Sequence, residues 1–167
     1  EMEENENGGN RDRESEWGVC NGAGARGSAE VMDRMGVAYY EGYGVKEKRA
    51  DAGQVCIRAG MADHPGAEEQ AGFCYYNGTG VALNHETAFQ WFARAGQAGL
   101  VDARVSAADM LERGDGWNQD SASAVLWYQA AAEQGNAYAM TELGAHLRLG
   151  KGIAWSEAQA MQWFVKA

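Results

Sequence analysis

A spacing of 36 residues recurs throughout this chain and restricts its fold more than any other feature. Glycine occupies two complete columns at this interval: Gly42, Gly78, Gly114 and Gly150, then Gly44, Gly80, Gly116 and Gly152. A third column is alanine: Ala52, Ala88, Ala124 and Ala160. A constant period of about 20–50 residues is typical of repeat arrays, in which each unit buries its apolar face against its neighbours.

Each unit is predicted to be two helices joined by a glycine loop. Apolar residues recur at three- and four-residue spacings before Gly78 and again after Asn84, which indicates two amphipathic helices. Gly78 suits the left-handed position that ends a helix. The second helices begin at a column that contains three strong N-cap residues: Asn84, Asp120 and Ser156.

Apolar columns indicate what lies between the helices. The residue after the second glycine of each loop is predicted to be a buried anchor: Val45, Val81, Trp117 and Ile153. Two adjacent columns on the second helices are mostly aromatic and are predicted to form the core between units. They contain Trp91, Trp127 and Trp163, and beside them Phe92, Tyr128 and Phe164.

The period also predicts the domain organisation. Residues 1–15 form an acidic segment that is too polar to bury a face and is expected to be partly disordered. A repeat domain is expected over residues 16–167. It comprises a partial unit at 16–27, then units at about 28–64, 65–100, 101–136 and 137–167, of which the last is truncated.

Charge and hydropathy exclude several classes of function. With 24 acidic and 14 basic residues the net charge is −10, so the surface repels phosphate backbones and nucleic-acid binding is not expected. The chain has no apolar run of the ~18–20 residues that a membrane span needs. Residues 17–167 hold 17 acids and 12 bases, a net charge of −5, so a partner should present a basic or mixed surface.

The repeat resembles the Sel1-like repeat, a relative of the tetratricopeptide repeat. The unit from residue 101 carries the pattern at Ala103, Leu111, Gly114, Gly116, Asp120, Ala124, Trp127, Tyr128, Ala131, Ala132 and Gly135. The resemblance implies an all-α fold, an α/α superhelix in which the first helices line a concave surface. It also implies a non-catalytic scaffold or adaptor that binds a partner protein there.

First-helix positions outside the core stripe are the predicted partner-binding residues. They are Asp33, Val37, Tyr40, Glu69, Phe73, Tyr76, Asp109, Glu112, Arg113 and Arg148. Tyrosine and phenylalanine supply rigid contact area. The alternative is that Tyr40 and Tyr76 only cover neighbouring helices. Self-association through the truncated C-terminal repeat is a further alternative.

The resemblance also implies two alternative functions. The chain could be a toxin-neutralising immunity protein or a β-lactamase-like hydrolase of a cysteine-rich subgroup of the family. The hydrolase subgroup carries two cysteines in each repeat, whereas this chain has only Cys20, Cys56 and Cys74. We interpret these thiols as buried packing groups, with a Cys56–Cys74 bridge as the alternative.

No cofactor, metal or catalytic group is predicted. Residues 22–27 match a dinucleotide-binding glycine pattern, but they lie at a predicted helix end and not between a strand and a helix. His64, His85 and His146 are isolated, whereas a zinc site needs clustered ligands. The compartment is left open. A soluble chain that had lost a signal peptide would be periplasmic or secreted, and otherwise it would be cytoplasmic.

Overall fold

The computed structural model describes Gln54, Ile57, Arg58, Gly60, Met61 and residues 64–167. These residues contain α-helices and no strand. The helices, in chain order, are α1 (Pro65–Asn77), α2 (His85–Gln97), α3 (Val101–Arg113), α4 (Ser121–Ala132), α5 (Ala137–Leu149) and α6 (Glu157–Lys166). The first helices of the repeats are α1, α3 and α5, and the second helices are α2, α4 and α6.

The chain divides into two units between Ala82 and Leu83. The first unit contains α1, which begins with Pro65 at its first turn. The second unit contains α2 to α6, and each of these helices packs against the next one in the chain. This succession of antiparallel neighbours is the all-α repeat solenoid that the period predicts.

The helix ends follow the sequence columns closely. The side chains of Asn84, Asp120 and Ser156 accept hydrogen bonds from the backbone N–H three residues further on. The first helices end at Gly78, Gly114 and Gly150, whose φ angles are 67°, 76° and 64°. Only glycine adopts this left-handed conformation without strain, so these columns are confirmed as helix ends.

The two aromatic columns are buried to different depths. Phe92 and Tyr128 are each 1% exposed, whereas the tryptophans beside them are only half-buried. Tyr128 belongs to a core that is otherwise aliphatic and small, with Leu143, Leu147 and several alanines. The core between these repeats is therefore centred on the second column, and the tryptophans pack along its margin.

One predicted loop anchor is wrong in this structure. Trp117 is 46% exposed, although its ring lies 5.9 Å from that of Phe89. Val81 and Ile153, at equivalent positions, are half-buried. The indole is too large to enter the space that a valine occupies, so it lies across the surface of α2.

Arg104 on α3 connects two second helices. Its Nε donates to the carbonyl oxygen of Gly96 at 2.8 Å, and its Nη1 donates to that of Ala130 at 3.1 Å. A β-carbon at Gly96 would lie 3.0 Å from the Arg104 side chain and 3.0 Å from Trp127. The absence of a side chain at Gly96 lets the arginine reach the last carbonyls of both α2 and α4.

Candidate protein-interaction surface

The predicted partner-binding residues fall in three places. Asp33, Val37 and Tyr40 lie outside the described residues. Glu69, Phe73 and Tyr76 lie on α1 in the first unit, and all three are half-buried. Asp109, Glu112 and Arg113 lie on α3, and Arg148 lies on α5, so these four belong to the second unit. All of these residues stay predicted binding residues. The four in the second unit differ from one another in their exposure and in their contacts.

Asp109 is the centre of a hydrogen-bonded cluster. Its Oδ1 accepts from the hydroxyl of buried Tyr128 at 2.7 Å and from that of Tyr138 at 3.3 Å. Its Oδ2 lies 3.4 Å from Nη2 of Arg113, one helical turn further along α3. One carboxylate therefore holds a core tyrosine, a surface tyrosine and a surface arginine.

The cluster leaves Tyr138 and Arg113 exposed. Tyr138 is 47% exposed on α5, and the Arg113 side chain is 59% exposed, whereas that of Asp109 is only 21% exposed. The rings of Tyr128 and Tyr138 meet edge to face with their centroids 6.5 Å apart. The position of Tyr138 is thus fixed by two contacts: its ring packs against the ring of Tyr128, and its hydroxyl donates to the carboxylate of Asp109.

The cluster also affects the ionisation of both tyrosines. Burial, the hydrogen bond to Asp109 and the charge of that carboxylate raise the pKa of Tyr128 far above its ordinary value. Burial raises the pKa of Tyr138 too, and the charges of Asp109 and Glu142 add to the effect. Both hydroxyls therefore keep the protons that they donate.

Glu112 forms a second link between the first helices. Its Oε1 pairs with the ammonium group of Lys151, and its Oε2 lies 3.6 Å from Nε2 of His146. His146 is 4% exposed, and its Nδ1 donates to the carbonyl oxygen of Lys151 at 2.8 Å. This arrangement ties the end of α3 to α5 and to the loop that follows it.

Ionisation of Glu112 is favoured by its neighbours. Burial by itself raises the pKa of Glu112, but hydrogen bonds from Lys151 and Ser121 and the charges of His146 and Lys151 lower it further than burial raises it. The net result is a pKa below the ordinary value of 4.5. Glu112 is therefore chiefly an internal ion-pair partner, with a side chain only 17% exposed.

Arg148 occupies the position equivalent to Glu112, 36 residues later, but its contacts differ. Its guanidinium lies 5.7 Å from the centre of the Phe164 ring on α6. Arg148 is exposed, and no carboxylate in the described residues forms an ion pair with it. We call Asp109, Glu112, Arg113, Tyr138 and Arg148 together the first-helix surface.

Tyr138 did not emerge from the sequence. Its equivalents in the other units are Glu30, Gly66 and Asp102, so no aromatic column signals it. Cys74 is 7% exposed on α1, which fits the predicted packing role. Cys20 and Cys56 lie outside the described residues, so the Cys56–Cys74 bridge stays an alternative.

Residues 64–167 and the few described before them contain no group of three or more His, Cys, Asp or Glu side chains that could hold a metal ion. In the same residues every helix is too short or too polar to cross a lipid bilayer.

Comparison with solved structures supports the fold. A protective antigen of uropathogenic Escherichia coli strains, c5321, displays an SLR fold and matches with a TM-score of 0.82 at 24% identity, covering 88% of this chain and 32% of its own. A Sel1 repeat protein from Oxalobacter formigenes matches with a TM-score of 0.75 at 31% identity, covering 85% of this chain and 58% of its own. This chain therefore spans less than two thirds of either protein.

Comparison with sequences identifies the repeat itself. No curated protein matches the chain. The Sel1 repeat model, however, matches residues 29–52, 65–100, 102–136 and 137–167, which make up more than half of the sequence. Repeats of this kind are commonly protein-interaction scaffolds. The chain belongs to the Sel1 repeat family.

Proposed function

We propose that this chain is a non-catalytic scaffold that binds a partner protein through the first-helix surface. The observation that carries the proposal is the Asp109 cluster, which presents Tyr138 and Arg113 in held orientations. Tyrosine and arginine dominate the energetics of protein interfaces when they are well supported. A side chain that is already ordered loses less conformational entropy on binding.

Charge supports a partner with a mixed surface. The exposed cations Arg113 and Arg148 lie on the same helices as the acids Asp102 and Glu142. The chain as a whole carries −10, so its field attracts basic groups at long range while the local arginines pair with acidic ones at contact. Association with such a partner should slow as salt rises, because charges are screened over about 10 Å at 0.1 M salt.

The test begins with affinity capture of the partner from the source cells and continues with calorimetry on the purified pair. Tyr138→Ala and Arg113→Ala should each weaken binding by at least about tenfold, as expected of supported contact residues. Gln129→Ala is the matched control, since Gln129 is exposed on second helix α4. Circular dichroism should show the same helix content in all three variants.

Two results would count against this proposal. Equal losses from Gln129→Ala and Tyr138→Ala would place the interface away from the first-helix surface. A captured small-molecule substrate that the chain converts would show that it is an enzyme.

A further inference from the structure

The loops that join the two helices of a repeat lie side by side along one edge of the second unit. Gly116 lies so close to the backbone of His85 and Glu86 that a β-carbon there would clash with it. Gly152 lies equally close to the backbone of Ser121. Each of these loops therefore packs on the start of the second helix of the preceding repeat, and the loops and helix starts form one continuous edge.

Large apolar side chains are exposed along this edge. Leu83 is 60% exposed, Trp117 is 46% exposed and Trp155 is 64% exposed. Leu83 and Trp155 occupy the same position in the repeat, and Gln119, at that position in the repeat between them, is exposed too. This position therefore faces solvent in all three repeats. Exposed apolar groups that recur close together are typical of an interaction surface.

The ring of Trp117 is larger than the loop requires. Val81 and Ile153 occupy the equivalent positions and are half-buried, so a branched aliphatic side chain is enough to complete the loop. The Trp117 indole instead lies 5.9 Å from the ring of Phe89 on α2, with the two planes 59° apart. Its outer part is accessible, and Phe89 limits its movement.

Exposed carboxylates accompany these apolar groups. Glu86 is exposed in the first turn of α2, and Asp120 is exposed at the N-cap of α4. Within residues 64–167 neither carboxylate forms an ion pair. Hydrogen bonds from the hydroxyl and backbone N–H of Ser123 hold the pKa of Asp120 below its ordinary value of 3.8, so this group is charged at neutral pH.

The acids of the first-helix surface are used differently. Asp109 and Glu112 have side chains only 21% and 17% exposed, and both are bound by groups of the chain itself. The acids that are accessible to a basic partner therefore include those beside the exposed apolar side chains. We call this second set of residues the loop edge: Leu83, Glu86, Trp117, Asp120 and Trp155.

We propose that the loop edge is a second interaction surface, which binds a segment of a partner protein that carries both basic and apolar residues. A guanidinium or ammonium group stacks on an indole ring and pairs with a carboxylate, and Trp117 and Asp120 supply both from one loop. Apolar side chains of the segment cover Leu83 and Trp155. The net charge of −10 attracts such a segment at long range, whereas an anionic membrane would be repelled by the same carboxylates.

The probe is a fluorescein-labelled peptide of about 12 residues in which arginine alternates with leucine. Fluorescence anisotropy should show saturable binding that weakens as salt rises, because the attraction is screened. Two matched peptides separate the contributions. Glutamate in place of arginine, or serine in place of leucine, should each weaken binding at least about tenfold.

The repeats themselves supply substitutions that the fold accepts. Trp117→Val, Glu86→Ala and Asp120→Asn each introduce the residue found at the same position in another repeat, and asparagine keeps the N-cap. Those equivalent residues are Val81, Ala122 and Asn84, respectively. Each variant should keep a melting temperature close to that of the wild type and should raise the dissociation constant for the arginine–leucine peptide at least about fivefold.

Three further variants are controls. Leu126→Ala removes an apolar side chain that is 67% exposed on α4, and Glu133→Gln removes an exposed charge from the C-cap of the same helix. Neither residue belongs to the loop edge. Tyr138→Ala alters the first-helix surface. All three should leave the dissociation constant for the peptide within about twofold of the wild-type value.

The proposal is overturned if the arginine–leucine peptide does not bind, if the glutamate peptide binds equally well, or if the control variants weaken binding as much as Trp117→Val. Phosphatidylcholine vesicles that bound the wild type but not Trp117→Val would assign the loop edge to a membrane surface instead. The first-helix surface proposal is tested separately, with Tyr138 and Arg113 variants against the captured partner, so either proposal can fail without the other.

Discussion

The repeats at 101–136 and 137–167 have the same backbone plan but different side chains at the positions that reach towards the next repeat. In the first of them, Asp109 and Glu112 bind Tyr138 and Lys151 of the second repeat. In the second, the equivalent residues are Ala145 and Arg148. The glycines of the loops and the alanines of the second helices are nevertheless the same.

This difference separates two roles of the sequence. The repeated glycines, alanines and N-caps determine where helices begin, end and approach each other, and they need not vary between units. The forward positions on the first helices determine what each repeat contacts. An acid there joins one repeat to the next, whereas Arg148 places its guanidinium over the ring of Phe164 in its own repeat.

The largest expected difference between the two repeats concerns their aromatic core residues. Tyr128→Ala should lower the free energy of unfolding by about 3–5 kcal/mol, because a fully buried ring is lost and a cavity remains. Phe164→Ala should cost roughly 1–2 kcal/mol, since half-burial removes less apolar surface. Urea denaturation measures both values.

Trp127→Ala serves as the control within one repeat. Trp127 is half-buried, so its loss should cost less than that of the adjacent Tyr128. If Phe164→Ala and Tyr128→Ala lowered the free energy of unfolding equally, the two aromatic side chains would be equally buried in solution. That result would be expected if α6 were deeply buried in an assembly.

The loops should respond alike in both repeats, because the same contact recurs. A β-carbon at Gly116 would lie 2.6 Å from the backbone nitrogen of Glu86, and one at Gly152 would lie 2.3 Å from the carbonyl oxygen of Ser121. Both positions also have positive φ. Gly116→Ala and Gly152→Ala should each destabilise by about 2–3 kcal/mol, through backbone strain and a forced shift of the neighbouring helix start.

Gly114→Ala and Gly150→Ala are the matched controls for these loops. They share the positive φ, but their added β-carbons would meet their nearest neighbours at 3.3 Å and 3.4 Å. Only the conformational cost of about 1–2 kcal/mol should remain. If thermal denaturation gave the control variants lower melting temperatures than Gly116→Ala and Gly152→Ala, this explanation would be contradicted.

A smaller effect, of about 1 kcal/mol, is expected at alkaline pH from the Asp109 cluster. The pKa of Tyr128 is raised in the folded state, so its contribution to stability is present below the ordinary tyrosine pKa of 10.0 and is lost as pH rises above it. Tyr128→Phe keeps the ring but removes the ionisable group. The stability difference between wild type and variant should therefore shrink between pH 9 and about 12 in equilibrium unfolding.

The smallest effect is expected on the acidic side, at the ion pair that joins the repeats. The pKa of Glu112 is lowered in the folded state, so its contribution is present above pH 4.5 and is lost as pH falls below that value. Glu112→Gln should cost roughly 0.5–1 kcal/mol at neutral pH and nothing near pH 3. Exposed Glu133→Gln is the control, and a Glu112→Gln difference that persisted at pH 3 would assign the loss to packing.

Much of the fold follows from local rules and was therefore predictable. Gly78 and Asn84 mark their helix ends because a left-handed φ and a side-chain acceptor are requirements of single positions. The depth of Trp127 relative to Tyr128 was harder to predict. Both side chains are aromatic, and their directions differ by only 100° around α4. Which of the two is more deeply buried therefore depends on where the neighbouring helices cross α4.

The candidate surface was less predictable, because its contacts join distant positions. Asp109 looked like an exposed acid, but the hydroxyl groups that it binds belong to Tyr128 and Tyr138, 19 and 29 residues away. Arg104 gave no signal either, since its two carbonyl partners come from separate helices. Interactions of this range depend on the packed arrangement and leave no periodic pattern in the sequence.

Arg104 has a consequence for how the array comes apart. Arg104 binds carbonyl groups in the last turns of both α2 and α4, so fraying of one helix end is coupled to fraying of the other. The equivalent residue in the next repeat is Met140, which offers no such donors. In a chain of nearest-neighbour couplings, each link joins the opening of the segments that it connects. Amide protons in the last turns of α2 and α4 should thus exchange together, whereas those in the last turns of α4 and α6, which no arginine connects, should exchange independently.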